Sequence, residues 1–294
     1  MATLREIKRR IGSIKSTEKI TRAMKMVASV KFRKAQQNVV AARPYARKID
    51  EILRNLIPGI EDLDNKLLKE REIKKLIAVV VSSDRGLCGS FNTNLLKSAS
   101  NKIVNKYSDF YTSHNITLFT VGRKSFDYFS KRGFDIFARA VNVFDRLNFI
   151  DAQNIVKEII KGYTENKFDK VIVIYNEFKS VVQSKIVEEQ FLPIPPFVNE
   201  GEKLKTSNYI FEPSGKDIID NLLPRHLNTQ IWRVLLESYA SEQAARMTAM
   251  DTATTNANDL VKQLSLTYNR ARQAAITKEL LEVVAGAEAL RESA

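Results

Sequence analysis

Near the C-terminal end, Met250, Thr254, Ala257, Val261, Leu264, Tyr268, Ala271 and Ala275 follow one another at alternating spacings of four and three. That rhythm is the seam of a left-handed coiled coil, and its small residues permit close approach. Leu4, Ile7, Ile11 and Ile14 repeat it near the N-terminus, before the apolar positions shift frame to Ile20, Met24 and Val27. Such a shift predicts a local stutter in the supercoil. Arg225 to Ala285 contains neither Gly nor Pro, and Thr3 to Arg43 contains only Gly12. At ~1.5 Å per residue these stretches predict helices of about 90 Å and about 60 Å. Thr3 and Glu6 have the spacing of a capping box. Pro44 lacks a backbone donor, which predicts a kink or break before the pattern resumes at Ile49, Ile52, Leu53 and Leu56, and Pro58-Gly59 ends the element. Since the two segments lie at opposite ends of one chain, an antiparallel pair with the middle domain at one end is the economical arrangement.

Between the helices the period changes. Leu76 to Ser83 (LIAVVVSS) is an apolar, β-branched run expected of a strand buried on both faces. After a turn, Asp84 to Gly89, the pattern predicts a helix from Thr93 to about Tyr107 and a strand near Ile116–Val121. A helix near Lys124–Lys131, a strand near Asp135–Ala138, a helix near Ala152–Tyr163 and a strand at Lys170–Tyr175 follow. This alternation implies a parallel sheet with crossover helices. Further extended pieces are expected near Lys185–Leu192 and Tyr209–Phe211, separated by Pro193, Pro195 and Pro196. The fold class is therefore α/β: a long antiparallel coiled coil of the terminal helices plus a Rossmann-like domain. The expected boundaries are 1–57 for the N-terminal helix, 75–215 for the α/β domain and 216–294 for the C-terminal helix.

Composition narrows the class. Across 294 residues, 44% are apolar, enough to bury a real core. No stretch approaches the ~20 apolar residues a membrane span needs, and charges begin at Arg5 in place of a signal core. The single cysteine, Cys88, excludes an internal disulfide framework and fits a reducing, cytosolic setting. The net charge of +13 is concentrated: residues 1–48 hold 14 Lys/Arg against two acids, Glu6 and Glu18. A basic arm of this kind suits nucleic acid, anionic lipid or an acidic protein surface, or is simply a solvated face, and charge alone does not choose.

Candidate chemistry is sparse. The turn Asp84 to Gly89 stands where a Rossmann-type fold holds a phosphate, but Gly86-Leu87-Cys88-Gly89 matches neither G-x-G-x-x-G nor G-x-x-x-x-G-K-[ST]. It reads as a tight turn that needs glycine for its backbone. Cys88 reads as a small packed residue, with only His114 and His226 as potential base partners. The spacings of a zinc site are missing. Glu188 and Glu189, adjacent on a strand, point to opposite faces, and Glu279 with Glu282 is an ordinary helix pair. No cofactor is expected. Ala244 to Ile276 carries only Arg246, Asp251, Asp259, Lys262, Arg270 and Arg272 as charges, unlike a long helix in free solvent. Its apolar last turns, Leu280, Leu281, Val283, Val284, Ala285 and Leu290, imply a surrounding partner.

At these helices the chain resembles the γ subunits of F-type ATP synthases, the central rotor shafts. Arg10-Ile11-Gly12-Ser13-Ile14-Lys15-Ser16-Thr17 and Lys19-Ile20-Thr21-Arg22-Ala23-Met24-Lys25-Met26-Val27-Ala28 are similar to the family's opening helix. Asp84 to Gly89 matches its central turn. Ala240 to Met247, Arg272 to Thr277, Glu279, Glu282 and Gly286-Ala287 match its last helix. The resemblance implies a coiled coil inside a ring of α and β subunits that carry the catalysis, with the ε subunit and the membrane c-ring as further partners. By resemblance, Gln273, Thr277, Glu279 and Arg246 would touch the β-subunit catch region. Met24, Arg22 and Lys25 would sit near the acidic β-subunit lever, and Tyr209 would face the ring and ε. The chain lacks the cysteine-containing insert of chloroplast members and begins directly with the helix, which favours a bacterial protein on the cytoplasmic face of the inner membrane, peripheral through its complex. Read from residues alone, two alternatives stand: a nucleic-acid binder using residues 1–48, although Phe32 and Tyr45 are that arm's only aromatics, and a small α/β enzyme with a coiled-coil arm.

Overall fold

The computed structural model describes residues 3–59, 65–181, 183–196, 212 and 214–292. The extended piece expected at Tyr209–Phe211 lies outside them. The chain divides into two compact units, one made of Met1–Val27 with Met247–Ala294, the other of Ala28–Arg246. Two long helices contribute to both: α1 (Leu4–Leu56) and the last helix of the chain (Gly215–Glu292).

The larger unit is built around β1 (Leu76–Val81), whose six residues are all buried. It is followed by α2 (Phe91–Asn101), α3 (Ser108–Thr112), β2 (Ile116–Val121), α4 (Arg123–Ser130), β3 (Ile136–Ala140), α5 (Phe149–Thr164), β4 (Lys170–Phe178), β5 (Ser184–Leu192) and the C-terminal helix α6. The sheet order is β3-β2-β1-β4-β5. The first four strands are parallel, while β5 runs antiparallel beside β4 as an edge. Period-two alternation sends Leu76, Ala78 and Val80 to one face, against Leu95, Leu96, Ala99 and Ile103. Ile77, Val79 and Val81 go to the other face, where α5, Leu53 and Leu56 of α1, and Ile219, Leu223 and Leu227 of α6 cover them. Both faces are dry, which is why β1 reads as an uninterrupted apolar run. Among the described residues, each strand expected from the sequence is present, and the helices near Lys124–Lys131 and Ala152–Tyr163 lie within a few residues of their expected bounds.

Three expectations need correction. The helix foreseen from Thr93 to Tyr107 breaks into α2, a π-helical turn at Lys102–Lys106, and α3. That turn brings Lys102, Lys106 and Tyr107 together onto one carboxylate, Glu188 of β5, at 3.1, 2.7 and 2.6 Å. Second, Pro44 neither ends nor breaks α1. It lies on the exposed face, so the carbonyl that loses its donor is open to water, while Ala42, Ala46 and Ile49 keep the packed face continuous. Third, the stutter does not occur. The covered positions of α1 continue through Glu18, Thr21, Lys25, Ala28, Phe32 and Ala35 without a change of frame, and Ile20 and Val27 are 60% and 57% exposed. Polar side chains occupy the seam at the point where the apolar pattern seems to shift.

Candidate functional site

The smaller unit pairs α1 and α6 in antiparallel fashion. Thr21 and Thr254 share a buried hydroxyl–hydroxyl hydrogen bond of 2.8 Å, and four residues further along α1 the Lys25 ammonium donates to Asp251 at 2.6 Å. The Thr254 hydroxyl also donates to the carbonyl of Met250 at 2.7 Å, an ordinary back-bond within the helix. On α6 every residue of the expected seam, from Met250 to Ala275, is buried or half-buried, while most residues between them are exposed. At the start of α1 the expected capping box is present: the Thr3 N–H donates to the Glu6 carboxylate at 2.9 Å and the Glu6 N–H to the Thr3 hydroxyl at 3.3 Å.

The sequence-derived contact residues fall into three groups. Arg22, with its side chain 62% exposed, reaches Glu18 at 2.5 Å, Met24 is half-buried beside the seam, and Lys25 is paired across it with Asp251. Gln273, Thr277 and Glu279 are exposed on α6, and the Thr277 hydroxyl donates to the Gln273 carbonyl at 3.0 Å. Around them Ile276, Leu280, Leu281, Val283 and Val284 are 48–69% exposed, an apolar surface on a solvent-facing helix. Tyr209 lies outside the described residues. Arg246 stands apart, in the larger unit: its side chain is 11% exposed, it grips Glu242 at 2.7 Å, and it donates to the carbonyl of Gly86 at 3.1 Å. It braces the turn after β1 from α6.

That turn is held from several directions. The Asp84 carboxylate accepts the backbone N–H groups of Arg123 (2.9 Å), Asn142 (2.8 Å) and Phe144 (3.0 Å). The chain's own anion thus satisfies the first N–H of α4 and two N–H groups after β3, and ties the turn after β1 to the ends of β2 and β3. Leu87 takes a left-handed backbone (φ 61°) and is 67% exposed, a conformation the surrounding bonds must enforce. Cys88 is buried, which pushes its thiol up in pKa; the amide of Asn92 donates to its sulfur at 3.2 Å. Burial also raises Glu242, against the pull of Arg246. Among the described residues no group of three or more His, Cys, Asp or Glu side chains is arranged to hold a metal ion, and no helix is long and apolar enough to cross a membrane.

Sequence reasoning missed Asp84, Glu242, Thr21 and Asp251 as organising residues. Asp84 stood in a motif already singled out, and Glu242 lies four residues before Arg246, the spacing of a helical ion pair.

A family model described as ATP synthase matches residues 3–290. The chain is 49% identical to the ATP synthase gamma chain of Chloroherpeton thalassium, with all of both chains covered, and 50% identical to that of Chlorobium phaeobacteroides (strain BS1), with 99% of each covered. Among solved structures it is similar to a chain of the Tetrahymena thermophila mitochondrial ATP synthase central stalk and c-ring. The TM-score is 0.60 at 26% identity, covering 80% of this chain and 99% of that one. A chain of the Euglena gracilis mitochondrial ATP synthase shares the fold, with a TM-score of 0.66 at 20% identity over 98% of this chain and 94% of that one. The chain belongs to the ATP synthase gamma chain family.

Proposed function

We propose that this chain is the central shaft of an F-type ATP synthase, turning inside a ring of α and β subunits and coupling ion flow through the membrane sector to ATP synthesis or hydrolysis, without catalytic chemistry of its own. The observation that carries the reading is the exposed apolar end of α6, Ile276 to Val284, in a family member matched along its whole length. A helix of this composition needs a sleeve, and a ring that excludes water while making no permanent bond supplies one.

In this reading Gln273, Thr277 and Glu279 meet the β-subunit catch region, and Arg22, Met24 and Lys25 meet the acidic lever. The 14 cations of residues 1–48 supply the complementary field. Arg246 contributes from within, by holding the turn at Arg85 and Gly86. Residues 1–57 and 216–294 form the shaft, and 75–215, with Tyr209, form a foot that meets ε and the c-ring. The complex would sit on the cytoplasmic face of the bacterial inner membrane, with this subunit peripheral to it.

The test is reconstitution with α and β subunits. The assembled complex should hydrolyse ATP with rotation of this chain, and the chain alone should not. ATP hydrolysis by the purified chain would overturn the reading. Charge reversal at Arg22, whose side chain is 62% exposed, should impair coupling and leave the melting temperature nearly unchanged; unchanged coupling with a lowered melting temperature would count against the assigned contacts.

A further inference from the structure

Within the larger unit, α1 and α6 enclose a cleft of about 270 Å³ between Arg43, Ala46, Arg47 and Asp50 on one side and His226, Thr229, Gln230 and Arg233 on the other. That is the liquid volume of about nine waters, room for an anion the size of pyrophosphate. We propose that this cleft is an oxyanion site, recognising the phosphate groups of a free polyphosphate or of a nucleotide's tail.

Its charge is one-sided. Arg43 and Arg47 stand one helical turn apart on α1, a mutually repulsive spacing. Neither guanidinium is held by a short ion pair to a described residue; Arg43 lies in the field of Glu237, one acid of α6 outside the cleft lining. The third guanidinium, Arg233, is anchored by Glu189 at 2.6 Å, by the hydroxyl of Tyr175 at 3.2 Å and by Glu237 at 3.7 Å. Those partners lie outside the cleft lining, so they fix the orientation of Arg233 without occupying the space in front of it. The one carboxylate in the lining, Asp50, is held by the ring of His226 at 2.9 Å, and Gln230 bonds the other ring nitrogen at 2.8 Å. Ala46 lies on the cleft lining between Arg43 and Arg47. Planar, multi-donor guanidinium groups converging on a small cleft suit the tetrahedral oxygens of phosphate.

The experiment uses the full chain, with inorganic phosphate, pyrophosphate, ATP and adenosine as probes at constant ionic strength, read by calorimetric titration and thermal shift. Pyrophosphate should raise the melting temperature saturably above matched chloride. Arg43→Gln or Arg47→Gln should each weaken its binding about ten-fold, and Arg47→Lys should retain part of it. Removing two exposed cations elsewhere, with Lys8→Gln and Arg9→Gln, should change nothing. ATP matching pyrophosphate while adenosine stays silent assigns the site to a nucleotide tail, and pyrophosphate alone binding assigns it to the free anion. No shift beyond chloride, or an equal shift in the Arg43→Gln/Arg47→Gln variant, would overturn the proposal, because either result reduces the effect to general screening of a chain of charge +13.

Discussion

Replacing Arg246 with Met should make the stability of the larger unit fall with pH over a wider range than it does with Arg246 present. The side chains of Glu242 and Arg246 are 5% and 11% exposed and meet at 2.7 Å. Removing one partner of a buried pair and leaving the other charged costs about 3–5 kcal/mol. Glu242, however, has an escape: burial already raises its pKa, and Asp84 adds to the effect, while Arg246 and Lys31 oppose it. Without Arg246 the folded-state pKa rises further above the unfolded value of ~4.3. Above that unfolded value the native state then binds more protons than the unfolded one, so stability falls with rising pH, by about 1.4 kcal/mol per pH unit, until the native carboxyl ionises. Near pH 4.5 the loss should shrink to about 1 kcal/mol, the worth of the bonds to Gly86 and Arg85. Urea unfolding of parent and Arg246→Met at pH 4.5, 6 and 8 measures this directly. Adding Glu242→Leu should remove the pH dependence. An equal loss at all three pH values would refute the argument, since it would mean that Glu242 finds another cation or water when Arg246 is gone.

Three further outcomes follow from single contacts. Gly122 has φ 90°, and a Cβ there would lie 2.4 Å from the carbonyl oxygen of Ser82; Gly122→Ala should cost about 3 kcal/mol or more, seen as a lowered melting temperature. Glu188 is held down to about 2: burial alone would raise it, but hydrogen bonds from Lys106, Tyr107 and Lys102 prevail. A depressed carboxylate stabilises the fold above the unfolded pKa and loses that contribution as pH falls toward 2, so Glu188→Gln should cost about 1–2 kcal/mol at pH 7 after solvent screening and flatten the acid limb of the stability curve between pH 4.5 and 2. Thr21→Val or Thr254→Val alone should cost about 1 kcal/mol by removing the buried hydroxyl–hydroxyl bond while the remaining hydroxyl keeps its back-bond, the double variant should cost little more than either single one, and a double-mutant cycle gives the coupling.

How far the sequence carries depends on whether the deciding force is local and apolar. β1 was legible because both of its faces are dry, so its period-two signal collapses into a continuous run from Leu76 to Val81. The α6 seam was legible because small and apolar residues fill it from Met250 to Ala275. The middle of α1 was not. There Glu18, Thr21 and Lys25 face inward, and a search for apolar positions slides onto Ile20 and Val27, which are exposed. Pro44 misled for a related reason: the cost of a missing donor depends on whether water can reach the orphaned carbonyl, a property of the helix face and not of the residue. Asp84 was hidden because its three N–H partners come from residues 39 to 60 positions away.

The polar stretch of the seam also bears on how a shaft of this kind can work. A coiled coil filled with leucine from end to end gains most from burial within its own pair. In the smaller unit the seam instead holds Thr21, Thr254, Lys25 and Asp251, and the apolar side chains Ile20, Met26 and Val27 of α1 point outward, 57–60% exposed. Exposed apolar groups beside an exposed guanidinium at Arg22 give the outer face the composition usual for the core of a protein interface, where Met and Arg are enriched. The same substitution of polar for apolar that obscured the frame of α1 therefore moves apolar surface from the inside of the helical pair to the outside, where the proposed ring of partners would meet it.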